Sequence, residues 1–517
     1  MIPRREQGRA PPPDVRDIAG PAHGVPRDKL ALVSGDRRFT YGELADESAR
    51  LARGLARRLS AGDLLALWLP NGPELLCLYL ACFRTGIVPV PLHRDMTATE
   101  AAAILRSSRA RALIGAPALL DAARPALNDT ALEWIDDAGP NLRACRGDAA
   151  PERGTGAMTP HRGATEDIGF VLHTSGSDGQ AKGVMLSWRN LNAILALRLA
   201  HTGLGPDSVS VVASCLTQSV GLHQSLALLA AGGTLVLLDG YDIDCMLDAI
   251  HRHHPTHLLM VVNAFDRLLH HPAIDAASLD SLRFAAVGAD RVTPRVQQRF
   301  IALSGRPLHV SYGMSESSWA ILNLEGRLDK CLALGKPAPG ASIRLVDEQG
   351  RDVPTGTPGE ILIRSPRTMT GYLHDPALTR AAFSDGWLRS GDLAWRDDDG
   401  YFWFAGRSRN IIVLSSGDNV SPVEIELAIL GHPGIARCLV APATAPEDGS
   451  DVPCAFVVRT DSSLGKGDLL DYLRPRLGAF KLPREIVFVS ELPTGPTGKL
   501  HRARVSPCIM AAQAATP

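Results

Sequence analysis

No sign of charge dominates this chain: 54 Lys and Arg stand against 55 Asp and Glu, leaving a formal net charge of −1. That balance argues against a dedicated nucleic-acid or polyanion binder, which needs many unpaired cations to release counterions. Long apolar runs are also missing. The longest, Leu226 to Leu238, is broken by Gly232 and Gly233 and falls short of the about 20 residues a spanning helix requires, so no transmembrane segment is expected. Met1 to Pro13 carries arginine and three consecutive prolines but no apolar stretch, which argues against a signal peptide. The nine cysteines include no Cys-x-x-Cys pair, and a reducing, cytoplasmic setting is expected. Cys77 and Cys82 lie inside the apolar stretch Leu75 to Phe83 and read as small core residues. Lysine is scarce too: Lys29, Lys182, Lys330, Lys336, Lys466, Lys481 and Lys499 are the full set. A lysine here is therefore more informative than usual, because a compact ammonium does a different job from a guanidinium.

What is present fits an ordinary globular protein, with 45% hydrophobic and 21% charged residues. A chain of 517 residues should form about three packing units at roughly 150 residues each, large enough to need no disulfide or metal staple. Residues 1–28, rich in Pro, Arg and Gly, read as a flexible tail. Thr40 followed by Glu43 then opens an amphipathic pattern through Leu44, Ala45, Ala49, Leu51, Leu55 and Leu59, a helix start of the capping-box kind. Leu64–Leu69 is a short apolar run, Glu74–Thr85 a buried helix and Val88–Pro91 the next strand. Apolar strands then alternate with helical stretches to about residue 310, with Leu235–Leu238, Leu258–Val262 and Phe284–Val287 the clearest strands. This is the rhythm of stacked α/β units with largely parallel sheets. From Ile343 the texture changes to short β-like runs, Ile343–Val346, Glu360–Ile363 and Tyr401–Phe404, between Gly, Pro and Asp turns. After Arg409 the pattern resets. The expected fold is thus α/β: a large domain of stacked α/β subdomains plus a β-rich subdomain over residues 29–408, and a small mobile α+β domain over 409–517.

Five segments carry the chemistry. The sharpest is Phe170 to Val184, where a strand runs into the loop Thr174-Ser175-Gly176-Ser177-Asp178-Gly179-Gln180-Ala181-Lys182. Backbone N–H groups, hydroxyls and an ammonium together suit phosphate oxygens. It is not a Walker A loop, since Gly183-Val184 follows the lysine. Ser311-Tyr312-Gly313-Met314-Ser315-Glu316 follows a strand-like segment, and Ser390-Gly391-Asp392 and Gly406-Arg407 bracket the turn-rich region. Lys499 closes the stiffened turn Leu492-Pro493-Thr494-Gly495-Pro496-Thr497-Gly498. In this order and at these distances, from about Phe39 to Arg502, the five resemble the adenylate-forming superfamily of acyl-CoA synthetases, luciferases and peptide-synthetase adenylation domains.

The resemblance implies ATP and Mg²⁺ as cofactors and a reaction in two halves: a carboxylic acid becomes an acyl-adenylate, and a thiol then takes the acyl group. By resemblance Thr174 to Lys182 holds the β- and γ-phosphates, Ser315 touches the α-phosphate and Glu316 holds Mg²⁺, which bridges phosphate oxygens. Tyr312 and Gly288-Ala289-Asp290 flank adenine, Asp392 accepts from both ribose hydroxyls, and Arg407 supports the ribose and phosphate side. Lys499 bridges the substrate carboxylate and the α-phosphate. Rotation of the small domain about Arg409, where the family usually has Asp or Lys, would then admit the thiol. Ser416 and Gly417, in a loop resembling that of fatty acyl-CoA synthetases, would line the pantetheine tunnel.

Two departures bear on the substrate. Asp178 adds a negative charge beside the triphosphate. In the segment that lines the acyl pocket by resemblance, Ser214 to Gly221, Gln218 stands near where a His or aromatic is common. No Asp or Glu occurs from Ser208 to Leu238. An α-amino acid is disfavoured, because its ammonium would be buried without a counter-charge. Gln218, Gly221 and Ala320, with Ile321 and Leu322, suggest an apolar wall for an aliphatic, fatty or aryl acid, unless these residues simply pack in the core. His251, His253, His254, His270 and His271 read as structural, at a helix end where His is favourable. The favoured acceptor is CoA. An acyl or peptidyl carrier protein presents the same pantetheine thiol and stays open as the alternative. A non-catalytic acyl-adenylate sensor is a third reading, against which Lys182, Glu316, Asp392, Arg407 and Lys499 together weigh.

Overall fold

The computed structural model describes residues 13–20, 23–128, 130, 132–137, 161–175, 181–288, 290–407, 412–413, 419–444, 451–477 and 481–493. A nine-stranded sheet organises the large domain. Its order runs Lys336–Pro337, Ser318–Asn323, His309–Met314, Phe284–Gly288, His257–Val261, Val209–Val212, Thr234–Leu237, Leu30–Ser34, Arg37–Thr40. The inner strands from His309–Met314 to Leu30–Ser34 pair parallel, and the outer ones antiparallel. Strands such as His257–Val261 and Phe284–Gly288 are buried along their whole length, because parallel strands are covered on both faces and so read as continuous apolar runs. A second sheet, Val88–Pro91, Leu64–Trp68, Ala112–Gly115 and Trp134–Asp137, is parallel throughout.

Between these sheets lies the helix Pro73–Thr85, buried on every side except near Glu74. Its ends are marked in the sequence: proline opens the first turn, where no N–H is missed, and Gly86 at φ +73° stops it. The capping box expected at Thr40 and Glu43 is present, heading the helix Tyr41–Leu55. Cys77 and Cys82 are buried. The β-rich part is an antiparallel sheet of Ser342–Val346, Gly359–Arg364, Trp387–Arg396, Phe383–Ser384 and Phe402–Arg407. The small domain packs the helices Pro422–Leu430 and Lys466–Leu473 on the strands Ile435–Thr444, Asp451–Arg459 and Glu485–Phe488. Among the described residues no helix is long and apolar enough to cross a membrane.

The tail expected over residues 1–28 is corrected by the structure. Val15 and Ile18 are both 1% exposed. Asp14 caps the short helical turn Val15–Asp17 and accepts from Arg16 Nε at 2.8 Å and from Asn192 Nδ2 at 2.9 Å. Residues 13–20 therefore belong to the core of the large domain; their Pro- and Arg-rich composition hid two apolar anchors at a spacing of three. The suspect histidines have ordinary partners: His251 meets the Ser278 hydroxyl at 2.9 Å, His270 lies 3.0 Å from Asp266 and His271 3.1 Å from Asp244.

Other histidines are buried in the sheets. His257 and His309 stack on either face of Phe284, with centroids 5.9 and 5.1 Å away, and His257 Nε2–H donates to the Thr202 carbonyl at 2.9 Å. Burial pushes His173, His257 and His309 each down to about 4, so all three are neutral in the fold. Unfolded, they would bind protons near 6.5. Between those values the unfolded chain holds more protons than the folded one, so stability falls as pH drops from about 6.5 toward about 4. Urea denaturation at pH 7 and pH 5 should differ by on the order of a few kcal/mol. His309→Asn should flatten that dependence, and an unchanged slope would remove His309 from this account.

Candidate active site

Asp392 stands in the strand Trp387–Arg396 directly opposite Arg407 of Phe402–Arg407. Gly391 before it has φ +70°, a conformation glycine adopts without steric cost, and its N–H donates to the Glu360 carboxylate at 3.2 Å. The Asp392 N–H is taken by the Ser390 hydroxyl at 3.0 Å. Its carboxylate receives Arg407 Nε at 3.0 Å on Oδ1 and the Tyr312 hydroxyl at 2.8 Å on Oδ2. Asp392 is buried, whereas the Arg407 side chain is 66% exposed, so solvent screens the ion pair and the phenol is the fixed partner. Burial, followed by the charge of Asp392, holds the Tyr312 phenol well above its ordinary range. It remains a donor at any working pH.

Tyr312 reaches Asp392 through a hairpin with an irregular step. The strands His309–Met314 and Ser318–Asn323 pair antiparallel, and their register slips between Tyr312 and Gly313. A Cβ at position 313 would lie 1.9 Å from the Ser318 carbonyl oxygen, so only glycine fits. Ser318 itself takes φ +52°, a conformation that costs about 1–3 kcal/mol in a residue with a side chain. The slip re-aims the chain, as bulges do, and the turn 315–317 presents Ser315 and Glu316.

Glu316 is buried. The Tyr372 hydroxyl donates to its Oε1 at 3.0 Å, and the Met369 N–H donates to its backbone carbonyl at 2.7 Å. Tyr372 belongs to the short strand Gly371–Tyr372, which pairs with Met185 and Val184 of the strand Ala181–Ser187. Lys182 lies on that same strand, opposite Thr174 of Ile168–Ser175. Lys182 and the tyrosine that clamps the buried Glu316 are thus carried by one three-stranded sheet.

Gly288 ends the strand Phe284–Gly288 against Ser311, whose Oγ would stand 2.7 Å from a Cβ there. Asp290 accepts the Arg291 N–H at 2.7 Å. Arg291 Nη1 donates to the Val423 carbonyl at 3.1 Å and Nη2 lies 3.6 Å from Glu426, joining the adenine-loop candidate to the first helix of the small domain. Ser421 Oγ adds a bond of 2.6 Å to the Ala405 carbonyl.

Gln218 precedes the helix Ser219–Ala230. Gly221, in its first turn, packs so closely that a Cβ would stand 2.4 Å from the Cys215 carbonyl oxygen. Asn71 pins the same segment: its Nδ2 donates to the carbonyls of Ser214 at 3.1 Å and Leu238 at 3.0 Å, and its Oδ1 accepts the Leu216 N–H at 2.8 Å. Ala320 and Ile321 are fully buried in the largest core, and Leu322 is 7% exposed among other core residues.

The structure therefore brings Tyr312, Asp392 and Arg407 into contact, pairs Lys182 with Thr174, and sets Gly288 beside Ser311. Gly176, Ser177, Asp178, Gly179, Ala289, Arg409, Ser416, Gly417 and Lys499 lie outside the described residues, as does the side chain of Ser175. Three supporting side chains had escaped the sequence reading. Asn71 sits in Pro70-Asn71-Gly72-Pro73, a turn signal whose polar residue hinted at a local anchor. Tyr372 and Arg291 carried no such signal, because their partners are far away in sequence.

Comparison with known proteins gives this arrangement its family. The description "AMP-binding enzyme" matches residues 21–373, and "AMP-binding enzyme C-terminal domain" matches residues 424–499. The chain is 33% identical to a feruloyl-CoA synthase from an Amycolatopsis species, over 92% of this chain and 95% of that one. It is 32% identical to an indoleacetate–CoA ligase from Aromatoleum aromaticum, over 93% and 95%. Among solved structures, ATP-bound MatB from Rhodopseudomonas palustris superposes with a TM-score of 0.86 at 27% identity, covering 96% of this chain and 98% of that one. The chain belongs to the AMP-binding, adenylate-forming enzymes. Within them it is an ATP-dependent acid–thiol ligase of the acyl-CoA synthetase type.

The clamp on Glu316 has a measurable worth. Tyr372→Phe should destabilise the large domain by about 1.5–3 kcal/mol, as expected for a hydrogen bond to a charged group. In a double-mutant cycle with Glu316→Gln, urea denaturation should return most of that value as coupling. A coupling near zero would mean the hydroxyl does not hold the carboxylate.

Proposed function

We propose that the chain activates a carboxylic acid on the surface formed by Lys182, Tyr312, Ser315, Glu316, Asp392 and Arg407, and transfers the acyl group to the thiol of CoA. The observation that carries this reading is Asp392, a buried carboxylate oriented by Tyr312 and Arg407. A carboxylate oxygen can accept more than one hydrogen bond, and two acceptors side by side suit the vicinal hydroxyls of a ribose. Tyr312, neutral and rigid, offers the adenine a flat wall next to Gly288 and Asp290.

In the first half-reaction an oxygen of the acid attacks the α-phosphorus of ATP. One P–O bond forms, the bond to pyrophosphate breaks, and acyl-AMP remains. Like-charged reactants must be held together for this, so positioned cations supply most of the catalysis. Lys182 would neutralise the departing phosphates, and Lys499 would bridge the attacking carboxylate and the α-phosphate. Glu316 would hold Mg²⁺, which would neutralise charge on the phosphates. A single buried carboxylate fits an ion that arrives with the nucleotide and takes its other ligands from phosphates and water. Among the described residues no cluster of three or more His, Cys, Asp or Glu forms a site of its own. In the second half-reaction the thiolate sulfur attacks the acyl carbon, the acyl–phosphate bond breaks, and AMP leaves with both electrons. The small domain would turn about Arg409 to withdraw Lys499 and bring Ser416 and Gly417 to the thiol.

For the acid, the absence of Asp and Glu from Ser208 to Leu238 supports an acid without an α-ammonium. The names of the relatives, a feruloyl-CoA synthase and an indoleacetate–CoA ligase, support the aryl acids that the sequence admits beside aliphatic ones.

Pyrophosphate release from ATP, measured over a panel of acids with and without CoA, tests this reading. Thioester should form only with CoA present. Adenylation without any CoA thioester would point to a carrier-protein thiol, and no release with any acid would leave only nucleotide or adenylate binding. Lys499→Ala should lower adenylate formation by about 100-fold or more, as loss of a charge-stabilising group does, while sparing thioester formation from supplied acyl-AMP. Equal loss of both half-reactions would overturn the turning-domain account.

A further inference from the structure

A second cation lies behind the site, and the chemistry above does not use it. Arg198, near the end of the helix Trp188–His201, is 2% exposed. Its guanidinium rests 3.9 Å above the ring of Trp319, and Nη1 donates to the Oε1 of Gln224 at 3.3 Å. Its Nε is buried without a hydrogen-bond partner. Among the described residues Arg198 forms no ion pair, and burial pushes it down to about 9. His223, one residue before Gln224, is buried with Nε2 unpaired, and burial followed by the charge of Arg198 keeps it well below its ordinary range. Thr217, next to Gln218, has a buried hydroxyl that is also unpaired. Two polar groups with open valences, His223 Nε2 and Thr217 Oγ1, thus lie at or just before the start of one helix, and the guanidinium of a neighbouring helix has a third.

Buried arginines are ordinarily paired with an acid, since an uncompensated charge in a low-dielectric setting is costly. Arg84 and Arg367 are also 2% exposed and, among the described residues, without an ion pair, but each donates to a backbone carbonyl, whereas the partner of Arg198 is the side-chain amide of Gln224. Here the place of the counter-ion is held by a neutral amide and an aromatic face. The position matters as much as the chemistry. Trp319 is the strand partner of Gly313, so its backbone is about 5 Å from the strand that carries Tyr312. Trp319 also packs beside Val220, between Gln218 and Gly221. Of the unpaired groups, Thr217 therefore lies within the segment assigned above to the acyl group and His223 just beyond it.

We infer that Arg198, with His223 and Gln224, receives a second anionic group on the acid, so that the preferred substrates are short carboxylic acids bearing a distal carboxylate or sulfonate. This rests on the ligase reading above and narrows its substrate class: the far end of the acid is charged, and Arg198 sets specificity by pairing with it. Trp319 holds the guanidinium flat from one side and leaves its edge N–H groups for a planar or tetrahedral anion.

The test measures CoA thioester formation by the full-length enzyme across matched acids. Dicarboxylic acids of three to six carbons, their monomethyl esters, sulfo-acids and unsubstituted acids of equal length form the panel. The diacid or sulfo-acid should exceed its neutral counterpart in kcat/KM by roughly 30-fold or more, the loss expected when one member of a buried charge pair is missing. Whichever of the two anions leads identifies the distal group. Arg198→Met should erase that preference, while Arg198→Lys, which keeps the charge, should retain part of it. A wild-type enzyme that uses unsubstituted acids as well as the charged ones overturns the inference and leaves the ligase reading intact. Equal loss on both series in Arg198→Met, with the folded fraction unchanged, also overturns it. Failure of every acid to release pyrophosphate removes the ligase reading, and this one with it.

Discussion

A buried carboxylate must be kept charged and aimed by donors that cannot leave, and this protein meets that requirement twice with a tyrosine. Tyr312 holds Asp392 and Tyr372 holds Glu316. Each phenol is a donor on a strand, so it fixes direction without cancelling the charge of the carboxylate. The remaining architecture serves to bring these two pairs together. The nine-stranded sheet delivers Tyr312 at the end of a parallel strand, the antiparallel sheet delivers Asp392 and Arg407 face to face, and the three-stranded sheet delivers Tyr372 beside Lys182. One largely parallel sheet and two antiparallel ones converge on one surface.

Convergence of this kind demands close backbone approach, and the glycines record where. Position 313 has no room for a methyl group, and Ser318 accepts a left-handed backbone so that the turn carrying Ser315 and Glu316 can form. Local strain is tolerated because the surrounding sheets over-determine the geometry. Position 221 follows the same logic, pressing a helix start onto the carbonyls of residues 214 and 215. Positions 313 and 221 are thus contact points between neighbouring stretches of backbone.

Much of this was legible before any coordinates. Strands such as Leu64–Trp68, Val88–Pro91 and Phe284–Gly288 are plain as apolar runs, and the capping box at Thr40 and Glu43 marks its helix directly. Tyr312, Asp392 and Arg407 could be singled out from their segments. Their mutual contact could not, since it spans 80 residues between Tyr312 and Asp392 and depends on which sheets abut. Arg198 was invisible for a related reason: an arginine on a helix reads as solvated until the neighbouring strand is seen to put Trp319 across its face. The tail failed in the opposite direction, where composition outweighed the two apolar residues that anchor it.

Asn71 has a consequence for how such an enzyme changes over time. With three hydrogen bonds it ties the loop after the strand Leu64–Trp68 of the second sheet to residues 214, 216 and 238, so the stretch around Gln218 is braced from outside its own sheet. On the acyl-pocket reading proposed above, side chains pointing away from that brace can vary and retune which acid is accepted, whereas the path of the backbone is inherited as a unit. Divergence among descendants of this scaffold should therefore proceed by exchanging side chains over a constant main chain, with Asn71 the fixed point around which new preferences accumulate.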